Sequence, residues 1–442
     1  MYNITMKNRK KRLSDLIIDR RISTFSLLFQ GIVFSVLGIY VLSSSKSLQI
    51  VPYIVNIALM LNALNALVLF FAGKNPLRQI LDLSVNTVMF LLVLFNPSYL
   101  RSVFGTALGL YLIVLAFVSS VSAYFYRKNG MKGAARSVFI SAAETVIGVF
   151  AIVYPSAAAD RFRIIAGIYL LFFAVSAFAD FTAQILPQSA KNKVRRRMRV
   201  TLPNIFSAFI PVRIYKELKA DGLLGENIVE GNTDDVGLEV FIHASDVFPG
   251  QMGHLDFCIG NEVMSYGNYD ESSYYLWGIA GDGVLEIAEK ESYLNFCIEF
   301  SSKAVIGFGI VLTEKQKADI SAKLAEIMSE AVPWEPKAAR EDRHALSSSG
   351  ELSDYASELY KAANAKFYKF ASGKYKTYFG FGSNCAKLGD DVLGVLGIDE
   401  LSPFGMITPG KYYTYFNREY RKVNSNVVMR RIYAGNSEAG TE

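Results

Sequence analysis

Six long apolar runs fill the first part of the sequence and constrain the fold more than any other feature. They cover residues 22–42, 48–72, 83–100, 102–126, 137–159 and 164–186. Each approaches or exceeds the roughly 17 to 25 residues that cross a hydrocarbon core as helix. Helix is the expected form, because a lipid-exposed strand would leave its backbone polar groups unpaired. Residues 22–185 carry 14 charged side chains, whereas residues 186–442 carry 63. The first density suits a bilayer and the second a water-soluble domain.

Basic residues set the expected orientation. Nineteen Lys and Arg fall in the N-terminal tail, the second and fourth connections and the flank after the sixth run, against four on the other side (Lys46, Arg101, Arg161 and Arg163). Both termini are therefore expected in the cytoplasm of a multi-pass protein of the cell membrane. The first run is read as retained, since no small-residue cleavage pattern follows it.

An internal repeat organises these runs. Asn86-Thr87-Val88 recurs as Glu144-Thr145-Val146, Pro97-Ser98 as Pro155-Ser156, and Gly109 with Leu112 as Gly167 with Leu170, all at one constant interval without a gap. A unit of two helices joined by a short turn, used three times, gives a six-helix bundle. The pattern resembles HdeD-type acid-resistance membrane proteins, which are built of such paired spans. Glu144 is an acid deep within a span. Such residues suggest an ion or proton relay. Asn86 at the equivalent place suggests instead an interhelical hydrogen-bonding position. Asn56, Asn62 and Asn65 read as packing contacts of the same kind.

The remainder has an α+β pattern. Strands are expected over residues 237–244, 254–259, 263–266, 293–300 and 304–312, with a tight turn at Gly260-Asn261. Thr313-x-x-Gln316 is a capping box that opens a helix to about Ala331. Residues 333–350 read as an exposed loop, 353–365 as a helix, and 384–396 as a short helix closed by Gly397. The expected organisation is a basic tail (1–21), a six-span bundle (22–186), a basic linker and interfacial segment (187–235), an α+β domain (236–425) and a C-terminal tail (426–442).

Residues 1–199 have a net charge of +17 and residues 200–442 of −11. The acidic half is a poor polyanion binder, so no nucleic-acid partner is expected. The lipid bilayer is the expected partner of the basic half. Three cysteines are too few for a disulfide framework. Three Cys and three His have no zinc-ligand spacing, so no metal or other cofactor is expected.

Chemistry concentrates at two points. His254 opens a β-hairpin, and Cys385 occupies the first turn of a helix, after Asn384. A helix N-terminus favours thiolate over thiol, and its free N–H groups can hold an oxyanion. An imidazole nearby would complete an activated nucleophile. Cys258 and Cys297, in Phe-Cys-Ile contexts, read as inert buried thiols, and His243 is a fallback base.

Histidine first, a polar residue on the next strand and Asn-Cys opening a later helix resemble the circularly permuted papain-like (NlpC-like) cysteine hydrolases, in particular the Lnb N-terminal-domain type. The resemblance spans about residues 236–425, with Thr408-Pro-Gly410 as a late turn. It implies a permuted papain-like fold with Cys385 as nucleophile and His254 as base. The third, orienting group would be Ser265, Tyr266 or Asn268, with Asn384 and Tyr269 on the substrate side. The expected function is a membrane-tethered thiol hydrolase or acyltransferase acting on a peptide, lipoprotein or lipid acyl group. The alternative is a non-catalytic stress-response or scaffold protein whose papain-like domain binds peptides or protein partners. A weaker alternative is a channel or transporter working through Glu144.

Overall fold

The computed structural model describes residues 24–44, 47–71, 76–185, 207–224, 227–247, 250–300, 303–344, 354–398, 407–422 and 425–433. The basic tail, the Lys191 to Arg199 flank, Phe206 of the expected interfacial segment and the Ser347 to Gly350 stretch lie outside the described residues. Contacts divide the chain into two compact units. One holds Phe25–Tyr124 and Gly133–Phe181, and the other holds Phe125–Lys132 and the chain from Thr182 onward.

The first unit is helical. Its helices belong to α1 (Thr24–Ser43), α2 (Val51–Phe71), α3 (Pro76–Phe95), α4 (Pro97–Lys128), α5 (Ala134–Val153) and α6 (Pro155–Ile185). All six are long and apolar enough to cross a membrane. The helices α3 and α5 match end for end across the repeat, and Pro97 and Pro155 open α4 and α6 at the same interval. Proline suits this first-turn position because its missing N–H would have no intrahelical partner there.

Packing separates the two repeat-equivalent polar residues. Glu144 is 4% exposed and accepts a hydrogen bond from Ser119 Oγ at 2.7 Å, from α4 to α5. Next to it, Ser120 and Ser141 Oγ lie 2.7 Å apart, and Ser141 donates to the Ala116 carbonyl. Asn86 instead donates to the Asp82 carbonyl of its own helix. The same sequence position is thus an interhelical tie in one repeat and a local bond in the other.

The second unit is built on a nine-stranded antiparallel sheet of order β1-β11-β7-β2-β3-β4-β6-β9-β8. The strands are β1 (Ile228–Gly231), β2 (Val236–Ala244), β3 (His254–Ile259), β4 (Glu262–Gly267), β6 (Val284–Glu289), β7 (Ala304–Val311), β8 (Ala331–Trp334), β9 (Lys366–Phe370) and β11 (Val427–Tyr433). A separate two-stranded sheet pairs β5 (Ala280–Asp282) with β10 (Thr377–Phe379).

Alternation along the strands gives the sheet two apolar faces. On one face Val240, Ile242, Leu255, Phe257 and Phe308 pack with residues of four helices: α7 (Ile210–Ala220), α9 (Glu314–Ser329), α12 (Cys385–Gly394) and α13 (Pro409–Tyr420). On the other, Phe241, Cys258, Val263 and Phe367 pack with α8 (Lys290–Asn295) and α11 (Tyr355–Ala363). The described helices also include α10 (Lys337–His344). Burying such an aliphatic or aromatic side chain stabilises the fold by about 1.5–3 kcal/mol.

Several local expectations change. The segment expected as a strand over residues 293–300 is the end of α8 followed by a wide turn, Phe296–Phe300, because it packs along the sheet rather than pairing with it. The stretch expected as a loop from Pro333 holds β8 and α10, whose strand pairs with β9. The sheet also takes in Ile228–Gly231 and Val427–Tyr433, which the sequence reading assigned to linker and tail. Thr408-Pro-Gly410 opens α13 rather than serving as an isolated turn. The capping box is formed, with Thr313 Oγ1 accepting from Gln316 N and Gln316 Oε1 from Thr313 N.

Candidate active site

The end of the sheet where β3 begins brings the candidate residues together. Gly253 precedes His254 with a φ of +78°, and a Cβ there would meet Pro211 at 2.6 Å and the His243 carbonyl at 2.9 Å. Only glycine takes that backbone without strain, and it turns the chain so that β3 starts with His254 in register opposite His243 of β2.

Two residues further on, Asp256 points to the same face, as strand periodicity requires. It is fully buried, with Oδ1 2.9 Å from His254 Nε2 and Oδ2 2.6 Å from His243 Nε2. Both are short polar contacts, in which His243 Nε2 and Asp256 Oδ1 lack an aligned hydrogen bond. Tyr293 from α8 donates a hydrogen bond to Oδ2 at 2.7 Å. One buried carboxylate thus holds two imidazoles and a phenol.

From β4, Ser265 Oγ stands 2.9 Å from His254 Nε2, and Tyr269 Oη lies 2.7 Å from Ser265 Oγ and 3.2 Å from the ring nitrogen. Tyr269 is itself stacked on Tyr355 of α11. Nε2 is thus faced by Asp256, Ser265 and Tyr269. The Cys385 sulfur is also close enough to the His254 ring to act on it electrostatically and as a hydrogen-bond partner.

Local sequence seats the sulfur. Asn384 caps α12, its Oδ1 accepting from Lys387 N at 3.0 Å and its Nδ2 donating to the Gly380 and Ile407 carbonyls. Cys385 is therefore the first residue of the helix, where N–H groups have no intrahelical acceptor. The helix can lie close to β3 because residue 389 is glycine, where a Cβ would fall 2.3 Å from Leu255 Cδ2. Two tyrosines of the aromatic cluster also face the sulfur. Tyr378 on β10 is a hydrogen-bond partner of the thiol, and Tyr266 lies beside it.

Electrostatics follow from this arrangement. Burial opposes charge on His254, but the Asp256 carboxylate and the Cys385 sulfur outweigh it and hold the imidazole well above its usual range. Burial likewise opposes charge on Asp256, yet His254 and His243 keep its carboxyl well below the usual carboxylate range. His243, fully enclosed, is pushed down by burial despite the same Asp256, so it is the neutral member of the pair. Glu286 lies opposite Ser265 in the β4–β6 register, fully buried, and burial first and Asp256 second push its carboxyl up to about 8.

Of the three expected orienting residues, Ser265 reaches His254. Tyr266 is fully buried and donates to the Tyr375 carbonyl, on the sulfur side of the sheet. Asn268 donates to the Gly278 carbonyl at 2.6 Å and so ties down the following loop. That loop carries Leu276 and Trp277 at positive φ, with Trp277 94% exposed. Asn384, expected on the substrate side, has its amide engaged in the cap, and Tyr269 contacts the His254 imidazole itself. Cys258 and Cys297 are buried, and burial pushes each thiol up to about 12.

Sequence reasoning missed Asp256, Glu286, Tyr293 and Tyr378. Asp256 had a legible signal, since His-x-Asp on a strand places both side chains on one face. The other three are brought in by strand pairing and helix packing far along the chain. Among the described residues, no group of three His, Cys, Asp or Glu side chains is arranged to hold a metal ion.

His254 keeps 20% of its side-chain exposure, whereas Cys385 is 3% exposed. A reactant can thus approach the imidazole, while the sulfur lies beneath the tyrosines. Compared with protein-family models, with curated proteins and with solved structures, the chain has no match.

Proposed function

We propose that the C-terminal unit is a thiol hydrolase or acyltransferase, tethered to a membrane by the six helices and acting on an amide or ester acyl group of a peptide, lipoprotein or lipid. What supports this reading is that α12, headed by Cys385, packs on β3, headed by His254 with Asp256 2.9 Å from its ring, so that sulfur and imidazole fall within interaction range. In the proposed reaction Cys385 and His254 act as a thiolate–imidazolium pair, the thiol proton resting on His254, and the thiolate attacks the acyl carbonyl. A C–S bond forms, the carbonyl π pair moves onto oxygen, and first-turn N–H groups of α12 with the Tyr378 hydroxyl hold that oxyanion. Collapse expels the amine or alcohol, which takes the proton from His254. Water or an acceptor amine then attacks the thioester, giving its proton to His254 and releasing the thiolate.

The order of His254, Ser265 and Cys385 along the chain supports a permuted papain-like reading, and the constant repeat interval supports an HdeD-type bundle. The asymmetry of Lys and Arg supports cytoplasmic termini in the cell membrane. In that case the catalytic unit faces a reducing compartment that keeps a nucleophilic thiol free.

The test uses full-length protein in detergent with a panel of peptide aminomethylcoumarin amides and p-nitrophenyl acyl esters. Cys385→Ala should lower turnover of the best substrate by about three orders of magnitude or more, and intact mass should show the wild type acylated on Cys385. Equal turnover by wild type and variant would sink the reading. The deep burial of Cys385 favours a second reading, a peptide-binding module. It would be supported by peptide binding that survives Cys385→Ala in a protein without turnover.

A further inference from the structure

A cleft of about 360 Å³ opens between α2 and α3, lined by Asn62, Asn65, Ala66 and Leu69 from one helix and Arg78, Gln79, Asp82 and Asn86 from the other. Six of these eight residues are polar or charged, in helices otherwise apolar enough to cross a membrane. Their spacing puts each set on one helical face. At about 1.5 Å per residue, Asn86 lies roughly 15 Å along α3 from Pro76. The cleft therefore runs from the helix end near Arg78 to about the middle of a hydrocarbon core of roughly 30 Å.

Its polar groups are poorly satisfied from within. The side-chain amides of Asn62, Asn65 and Gln79 make no hydrogen bond among the described residues; Gln79 is 8% exposed, while Asn62 and Asn65 are exposed along the cleft. An amide in hydrocarbon without a partner costs several kcal/mol. The charges at the mouth are loosely paired, with Arg78 Nε 3.8 Å from Asp82 Oδ2 and side chains 76% and 48% exposed. A lone anion would meet Asp82, and a lone cation would meet Arg78. A group bearing both signs complements both, while its N–H and oxygen atoms serve the carboxamides. The volume suits one such group, because it falls at the small end of the range for small-molecule sites.

We propose that this cleft binds a zwitterion, an ammonium and an oxyanion joined by a short link, with the oxyanion against Arg78 and the ammonium against Asp82. The chemistry is that of an ethanolamine phospholipid headgroup or of a free amino acid. A choline headgroup lacks N–H donors for Asp82 and the amides, so it is the discriminating control.

The experiment measures binding of dihexanoyl phosphatidylethanolamine, dihexanoyl phosphatidylcholine and glycine to delipidated full-length protein by thermophoresis. The ethanolamine lipid or glycine should bind at least tenfold more tightly than the choline lipid. Preference for the lipid assigns a headgroup, and equal or better binding of glycine assigns a free solute. Asp82→Asn should erase the preference for ethanolamine over choline, and Arg78→Gln should weaken the preferred ligand at least tenfold. Asn65→Leu fills the cleft without touching either charge and should abolish binding, which covers the case in which a charge variant misfolds. Equal binding of the ethanolamine and choline lipids, with no glycine binding, overturns the proposal. So does a disulfide between two copies of Asn65→Cys that forms in high yield, because a second molecule would then fill the cleft.

Discussion

Asp256 Oδ1 stands 2.9 Å from Nε2 of His254, two residues away on the same strand, and the other carboxylate oxygen is shared with His243 and Tyr293. The spacing of two puts imidazole and carboxylate on one face of the strand, and burial makes their contact strong by excluding water.

Asp256→Asn should remove the charge that keeps His254 protonated. We expect turnover to fall by about 10²- to 10⁴-fold and the His254 titration, followed by NMR of the ring protons, to move to lower pH. The variant should also lose about 3–5 kcal/mol, because buried imidazolium is left without its counter-charge. The depressed Asp256 carboxyl contributes stability present above its unfolded pKa and lost as pH falls through the folded one. Urea unfolding of the variant should therefore show a shallower loss in acid. An unchanged His254 titration would contradict this account.

Glu286 gives the opposite pH signature. Its carboxyl, raised from 4.5 to about 8, ionises in the unfolded chain before it does in the folded one. Stability is fully present below about pH 4.5 and is lost as pH rises through 8, by up to about 5 kcal/mol. Glu286→Gln should remove that slope, so its stability relative to wild type should grow between pH 5 and 8. Parallel stability curves across this window would refute the assignment.

The three thiols should differ sharply in reactivity. With pKa values near 12, Cys258 and Cys297 carry a thiolate fraction on the order of 10⁻⁴ to 10⁻⁵ at pH 7.5. An alkyne iodoacetamide added to native protein should therefore label Cys385 first, and Cys385→Ala should leave almost no early signal. Peptide mapping that found Cys258 modified at the same rate would count against Cys385 as the proposed nucleophile.

Glu144 should behave as a packing residue. Its Oε2 accepts from Ser119, and a glutamine oxygen can do the same. Glu144→Gln is expected to fold, to reach the membrane in normal yield and to change thermal stability by about 1 kcal/mol or less. A collapse of expression in this variant would show that the acid has a role its hydrogen bond does not explain.

Much of this organisation is readable along the chain because its causes are local. Length and hydropathy mark the six spans. A strict interval marks the repeat, and the capping box and Asn384 cap depend on atoms one helical turn apart. The strand that begins at His254 is also legible, from its alternation and its glycine turns. Residues 293–300 misled because an apolar run shows what is buried but not whether its backbone pairs in a sheet. The limits of the sheet were hidden as well, since Ile228–Gly231 and Val427–Tyr433 form an edge pair only by joining opposite ends of the unit's chain.

What the sequence determined by itself is the division into an apolar helical half and an α+β half, together with a short list of reactive side chains. Tertiary structure decided which of those side chains meet. Ser265 rather than Tyr266 or Asn268 reaches His254, because the pleat turns alternate residues to opposite faces and Asn268 is drawn off by Gly278. Glu286 and Tyr378 join the cluster because cross-strand register and helix docking bring them within the short range over which hydrogen bonds and buried charges act.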